Sequence, residues 1–194
     1  MNMDIKAEKR SPMAGETMVQ IRPMEAGDAR AVLAFAAALP LHDLLFLQRD
    51  IRNARVVAAW IEQIERGLIR SLLAVTDDGA VEGCVALVRD TLSWSPHVAE
   101  IRLVVAPALR GAGLGRRLAQ DAFALAIEDG VEKLIVRLVP DQAGAIALFE
   151  EMGFHAEAML RDHVRDADGT THDIAIMSLD VLRQGGQHRA FGIG

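Results

Sequence analysis

The 194-residue sequence contains one cysteine, no tyrosine and two tryptophans. A single cysteine excludes an intrachain disulfide and a metal cluster built from cysteines alone. Cys84 lies in the strand-like segment GCVALV, which predicts a buried and unreactive thiol. Because tyrosine is absent, no phenol in this chain can serve as a proton donor.

Long apolar runs are also lacking, although hydrophobic residues make up 51% of the chain. Charged residues interrupt each run before the roughly 18 residues that a membrane span requires. Residues 1–20 lack the apolar core of a signal peptide, so we expect a cytoplasmic protein without a membrane partner. A net charge of −6 argues against a large nucleic-acid interface and is compatible with cationic partners.

The length fits one domain with a substantial core. Residues 1–16 are polar and charged, and we expect them to form a flexible leader. Residues 184–194 are expected to form a C-terminal tail. The remaining residues, 17–183, are predicted to form a single domain.

Hydrophobic periodicity predicts the element order β-α-α-β-β-β-α-β-α-β-β. Asp77 and Gly79 lie between two apolar runs and indicate a hairpin, and Asp141 is expected to cap the fourth helix. A helix joins the strand containing Glu100 to the strand beginning near Val131, so these two strands should be parallel. The fold class is α/β, with an α+β mixed sheet and helices on both faces.

A glycine-rich segment, RGAGLG, lies between a predicted strand and the third helix. Its unobstructed backbone N–H groups and the positive end of the helix dipole favour binding of an anion. The spacing excludes two phosphate-binding motifs, because Arg116 replaces the third glycine of a Rossmann fingerprint and no Gly-Lys-Ser/Thr ending follows. Alternatively, the glycines serve only a tight turn and close helix packing.

The segment from Arg110 to Gly115 matches an R/Q-x-x-G-x-G/A signature, and DQAGAIALFEEMGF follows at the next helix. Together they resemble the GNAT superfamily of acyl-CoA-dependent N-acyltransferases. Gln142 stands where relatives usually have Asn, and Phe149 stands at an aromatic position. RDHVRDADGTTHDIAIMSL is similar to the family's terminal hairpin. The resemblance implies a GNAT fold of about seven strands with a splayed central parallel pair.

The resemblance also implies acetyl-CoA as cosubstrate and no metal. Relatives bind the pyrophosphate on the backbone amides of the signature and pair the pantetheine arm with the preceding strand. Here the implied cofactor-binding residues are Leu103, Val104, Val105, Arg110, Gly111, Ala112, Gly113, Leu114, Gly115, Arg116, Gln142 and Phe149.

Glu100 is the candidate catalytic residue, because some relatives use a carboxylate at this position as a base that acts through water. A base is needed since only a neutral amine can attack a thioester. The alternative is a structural carboxylate paired with Arg102 or Arg137.

Many relatives protonate the leaving thiolate with a tyrosine, at the position of Phe149 here. We expect water to protonate the thiolate instead, because a thiolate is a moderate base. His42, His163 and His172 are further polar groups that either face the acceptor or belong to the surface.

The sequence therefore predicts an N-acetyltransferase that moves an acetyl group from acetyl-CoA to a primary amine by direct attack. The alternative is a non-catalytic acyl-CoA-binding or regulatory module. The expected partner is an amine-bearing acceptor, either a small molecule or a peptide N-terminus. Dimers are common among such enzymes, so a homodimer stays open.

Overall fold

The computed structural model describes residues 11–12 and 18–182. Most of the predicted leader, and all of the predicted tail at residues 184–194, lie outside the described residues. Within the leader, Ser11 and Pro12 form a two-residue strand that pairs with the next strand at Val19 and Met18.

The described residues contain eight strands and four α-helices. The strands are β1 (Ser11–Pro12), β2 (Met18–Pro23), β3 (Ile69–Thr76), β4 (Val81–Arg89), β5 (Val98–Val105), β6 (Lys133–Leu138), β7 (His155–Arg165) and β8 (Thr171–Asp180). The helices are α1 (Ala29–Ala38), α2 (Ala54–Glu65), α3 (Leu114–Glu128) and α4 (Ala143–Glu151). Apart from the additional β1, this is the order that the sequence predicts.

All eight strands form one sheet in the order β1-β2-β3-β4-β5-β6-β8-β7. Strands β5 and β6 are parallel, as predicted from the helical crossover between them. The other neighbouring strands in the described residues are antiparallel. The predicted mixed α/β sheet is therefore confirmed, with the parallel pair at its centre.

Helices cover both faces of the sheet, because each face is apolar along the strands. On one face, helix α3 buries Leu114, Leu118 and Leu125, which recur at helical spacing. Helix α4 packs against the same core. On the other face, Val32 of α1 and Val57 of α2 are fully buried. None of the helices in the described part of the chain is long and apolar enough to cross a membrane.

Candidate active site

The two central strands separate before they end, which opens a cleft in the sheet. Strand β5 pairs with β4 as far as Val105, but its pairing with β6 ends where Ile101 meets Val136. A cavity of about 630 Å³ lies beyond this point and is lined by residues of both strands. Backbone groups on this side of β5 are therefore available to a ligand that adds to the strand edge.

The cleft brings together most of the residues that the sequence predicts to bind the cofactor. Those that line it are Leu103, Val104, Val105, Arg110, Gly111, Gly113, Gly115, Arg116, Gln142 and Phe149. Of the other two, Ala112 packs partly buried against the core and Leu114 is fully buried. A role for Ala112 or Leu114 in binding therefore rests on backbone atoms.

The glycine loop presents a row of free backbone donors at the end of this cleft. Gly111 and Gly113 have φ angles of +74° and +86°, a conformation that disfavours residues with a side chain. The first hydrogen bond of α3 runs from the N–H of Arg117 to the carbonyl of Gly113, at 3.1 Å. Within the described residues, the N–H groups of residues 111–116 have no backbone acceptor. The loop therefore combines free donors with the positive end of α3, which suits an anion.

Arg110 of the signature and Arg116, the residue after it, are engaged in ion pairs across the cleft. Arg110 Nη2 lies 2.6 Å from Asp43 Oδ2. Arg116 forms an ion pair with Glu151 of α4. Both guanidinium groups border the cavity, so an incoming phosphate must compete with or join these carboxylates.

A short 3₁₀ helix, Leu41–Leu47, is tied to both sides of the opened strands. Asp43 contacts Arg110 beyond β5, and His42 Nε2 lies 2.9 Å from Oδ1 of Asp141 beyond β6. The ring of His42 also meets that of His172 edge-on, with centroids 5.5 Å apart. Sequence reasoning did not find these contacts, because no local pattern indicates a pair 99 positions apart.

The expectation that Asp141 caps the fourth helix is wrong. The residue at the helix cap is Gln142, and its side chain does not cap the helix either. The carboxylate of Asp141 instead contacts His42. A helix end at a solvent-open cleft does not require a side-chain acceptor for its N–H groups, because water can satisfy them.

Glu100 lies in a cluster of charged groups beside the cleft, with only 8% of its surface exposed. Arg102 Nη2 donates to Glu100 Oε2 at 3.0 Å, and Arg137 Nε lies 3.7 Å from Oε1. The amide of Gln48 lies beside Arg137. One of its atoms lies 2.9 Å from Arg137 Nη1, and because that guanidinium only donates, we assign the amide oxygen to this position.

Arg102 and Arg137 therefore both contact Glu100, as expected if its carboxylate has only a structural role. Arg137 borders the cleft, whereas Glu100 itself is not among the lining residues. Gln48 has a φ angle of +62°, a strained conformation for a residue with a side chain. Such strain is more frequent at functional sites than elsewhere.

Two further side chains of interest, Phe149 and Cys84, are buried. Phe149 is 2% exposed and meets Phe154 edge-on, with ring centroids 5.1 Å apart. Burial raises the pKa of the Cys84 thiol to about 12, although a hydrogen bond with the backbone of Val104 opposes the shift. Cys84 therefore stays a neutral thiol at physiological pH, which makes it a poor nucleophile.

One of the candidate histidines, His42, contacts a residue that lines the cleft. His42 is adjacent in sequence to Asp43, and both Asp43 and the His42 partner Asp141 line the cavity. His163 is exposed on β7. No three metal-ligating side chains gather into a candidate metal site within the described ranges.

A comparison with family models decides the classification. The model described as "Acetyltransferase (GNAT) family" matches residues 38–154, which is more than half of the chain and includes the cleft. The chain belongs to the GNAT acetyltransferase family. The resemblance carried by the glycine segment and the fourth helix is thus confirmed. No curated protein sequence matches the chain.

Solved structures agree with this GNAT assignment. The ribosomal-protein-alanine N-acetyltransferase of Brucella melitensis is 25% identical, with a TM-score of 0.70 over 82% of this chain and 98% of that one. The yncA protein of Salmonella typhimurium, solved with acetyl-CoA, is 21% identical, with a TM-score of 0.70 over 84% and 94%. Vibrio cholerae spermidine N-acetyltransferase, solved with CoA and spermine, is 18% identical, with a TM-score of 0.70 over 84% and 96%. The last two likenesses establish the GNAT fold alone.

Proposed function

We propose that this GNAT protein transfers an acetyl group from acetyl-CoA to a primary amine by direct attack. One observation carries the proposal: the separated strands β5 and β6 open a cleft that ends at a loop of unpaired N–H donors. A long, flexible ligand with an anionic end fits a site of this shape. The cosubstrate would supply the acyl group as a thioester.

Different parts of the cleft suit different parts of acetyl-CoA. The free edge of β5 at Leu103 to Val105 suits the amide groups of pantetheine, which pair as an added strand does. The N–H groups of residues 111–116 suit the pyrophosphate. Phe149 packs beside the thioester end, and Gln142 offers an amide at the start of α4.

Acyl transfer needs a neutral amine, and Glu100 is the base that we propose for it. The amine nitrogen attacks the thioester carbonyl, the C–N bond forms and the C–S bond breaks. A water molecule carries the amine proton to the Glu100 carboxylate, while the departing thiolate takes a proton from solvent. Arg102 and Arg137 keep the carboxylate in place beside the cleft.

A covalent acyl-enzyme is not part of the proposal, because Cys84 is the single cysteine of the chain and its thiol stays neutral. Removal of the thiol is therefore harmless to the chemistry. We expect Cys84→Ala to retain acetyl transfer within about threefold, since the change only removes a small buried group. Steady-state thiol release measures this, and loss of activity in a folded variant would argue for a cysteine intermediate.

Amines form the acceptor class that we propose. Similarity to a protein named spermidine N-acetyltransferase supports an amine as the acceptor. Similarity to a ribosomal-protein-alanine N-acetyltransferase supports a peptide N-terminus as the alternative acceptor. A cytoplasmic location, the absence of nucleic-acid and membrane partners, and a homodimeric state stay predictions.

The chain's lack of tyrosine favours one rival, a non-catalytic acyl-CoA-binding module. Turnover separates the two functions. We expect release of the CoA thiol when acetyl-CoA is mixed with a panel of polyamines, amino acids and short peptides. Tight acetyl-CoA binding by calorimetry, with no thiol release from any of these amines, would favour the binding module.

The pH profile of kcat/KM for the amine tests how the thiolate is protonated. Without a dedicated acid, kcat/KM should rise as the amine and base deprotonate, then stay level through about pH 9. His42 contacts Asp141 of the cleft wall, so His42→Gln is the informative variant. A falling limb in the parent that disappears in this folded variant would establish His42 as an acid and contradict protonation by solvent.

A further inference from the structure

A second, smaller cavity lies on the face of the sheet covered by α1 and α2. Its volume is about 70 Å³, compared with about 630 Å³ for the cleft. Ile51, Trp60 and Ile69 form part of an apolar wall, and Arg49 and Arg102 supply cationic groups. A cavity with this lining suits a small ligand that has an apolar part and an anionic part.

The small cavity and the cleft lie on either side of the Glu100 cluster. Glu100, Arg102 and Arg137 lie on the same face, because alternate residues of β5 point to the same side and Glu100 is in register with Ile135 of β6. Arg102 lines the small cavity, while Arg137 lines the cleft. The Glu100 carboxylate contacts both guanidinium groups, so it lies between the two spaces.

Positive charge exceeds negative charge at this junction. Arg102 and Arg137 contact the one carboxylate of Glu100, and Arg49, which is exposed, lines the small cavity together with Arg102, in a chain whose net charge is −6. Arg49 makes no ion pair within the described part of the chain. The Nε of Arg102 is buried and has no hydrogen-bond partner among the described residues. Buried donors without acceptors are costly, so an acceptor oxygen at this position would be favourable.

We propose that the small cavity holds the carboxylate and side chain of an α-amino acid, and that its α-amine is the group acetylated. This inference rests on the proposed acetyl transfer. The paired Glu100 and Arg102 match an amino acid's adjacent amine and carboxylate. Arg49 adds a second cation for the carboxylate, and Trp60 with its neighbours receives an apolar side chain.

The same lining disfavours polyamines. Among the described residues, the small cavity has two arginines and no Asp or Glu side chain in its wall. The second ammonium group of a polyamine would lie against these cations without a carboxylate partner. Like charges that are partly removed from water repel strongly, so polyamines should be poor acceptors.

Leucine, leucinamide and 3-methylbutylamine test the carboxylate directly, because they share one side chain. We expect kcat/KM for leucine to exceed that for leucinamide by about 10- to 100-fold, the contribution of a charge-assisted hydrogen bond. Leucinamide has the less basic amine and hence more of the reactive neutral form. A preference for leucine therefore cannot arise from amine basicity.

Substitution of single arginines tests which side chain recognises the leucine carboxylate. Arg49→Met should raise KM for leucine about tenfold or more, while KM for leucinamide changes less than about twofold. Leucinamide serves as the internal reference, because it lacks the carboxylate that Arg49 is proposed to bind. Arg66→Met is the matched control, since Arg66 lies just beyond α2 and is exposed.

Calorimetry provides a readout that does not need turnover. Leucine should bind to the protein saturated with CoA, and Arg49→Met should weaken that binding about tenfold. Equal or better use of leucinamide or spermidine would overturn the inference while leaving amine acetylation intact. Binding of leucine without thiol release would instead remove the proposed function. Failure of leucine to bind the CoA complex would also overturn the inference.

Discussion

Replacement of Gly113 by Asp should weaken acetyl-CoA binding by at least about 100-fold, because a carboxylate would enter the phosphate end of the cleft. Gly113 lines the cavity and is the residue that caps α3. An Asp at a helix cap accepts hydrogen bonds from the first N–H groups of the helix. The new side chain would therefore occupy the donors meant for the pyrophosphate and repel its charge. One lost charge-assisted contact alone is worth about 1.5 to 3 kcal/mol.

Two control variants separate this electrostatic effect from backbone strain. Gly169, in the turn between β7 and β8, has the same φ of +86°, and a Cβ there would also meet nothing within 4 Å. Gly169→Asp should thus carry a similar strain and leave acetyl-CoA binding unchanged. Gly113→Ala adds the strain without the charge and should bind with an intermediate affinity. Calorimetry measures each affinity, with circular dichroism as the test of folding. Undiminished binding by folded Gly113→Asp would remove the glycine loop from the site.

Much of the architecture is predictable from sequence because it depends on local patterns. Apolar periodicity marks the strands and helices, and the crossover rule makes β5 and β6 parallel. The glycine segment predicts a tight turn, and Gly111 and Gly113 do adopt positive φ angles. These features involve residues close together in the chain, where spacing carries the information.

Contacts between distant segments were the part that sequence reasoning missed. Arg110 meets Asp43 across 67 positions, and His42 meets Asp141 across 99. Nothing in the local sequence selects one partner for an arginine when the chain contains 27 acidic residues. The fold brings these groups together only after the sheet and its helices have packed.

The small cavity under α2 illustrates the same limit. Trp60, on helix α2, is partly buried against the core on that face of the sheet. The structure shows that the same ring borders a cavity with Arg49 and Arg102. A helical pattern predicts which face is buried but not where that face fails to fill the space. Candidate specificity residues therefore emerge only from the packed structure.

Glu100→Gln should lower turnover about 100- to 10,000-fold, the usual cost of removing a general base. Acetyl-CoA affinity should change far less, because Glu100 is not among the residues that line the cleft. The loss should shrink at high pH, where neutral amine is abundant without a base. The substitution keeps the size of the side chain but leaves Arg102 and Arg137 without their carboxylate. A purely structural effect must therefore be separated from the loss of a base.

Asp28→Asn is the matched control for that separation. Asp28 is also a shielded carboxylate paired with an arginine, since Arg22 Nη2 lies 2.7 Å from its Oδ1. The Arg22 hydrogen bond holds the pKa of the Asp28 carboxyl below its ordinary value, so Asp28 is ionised throughout the assay range. Asp28→Asn should lower the melting temperature and leave kcat unchanged, because Asp28 does not line the cleft. Glu100→Gln should lower kcat at every pH below the amine pKa, even where its melting temperature matches that of the control. Unchanged turnover of Glu100→Gln from pH 6 to 10 would make Glu100 a structural partner of its two arginines.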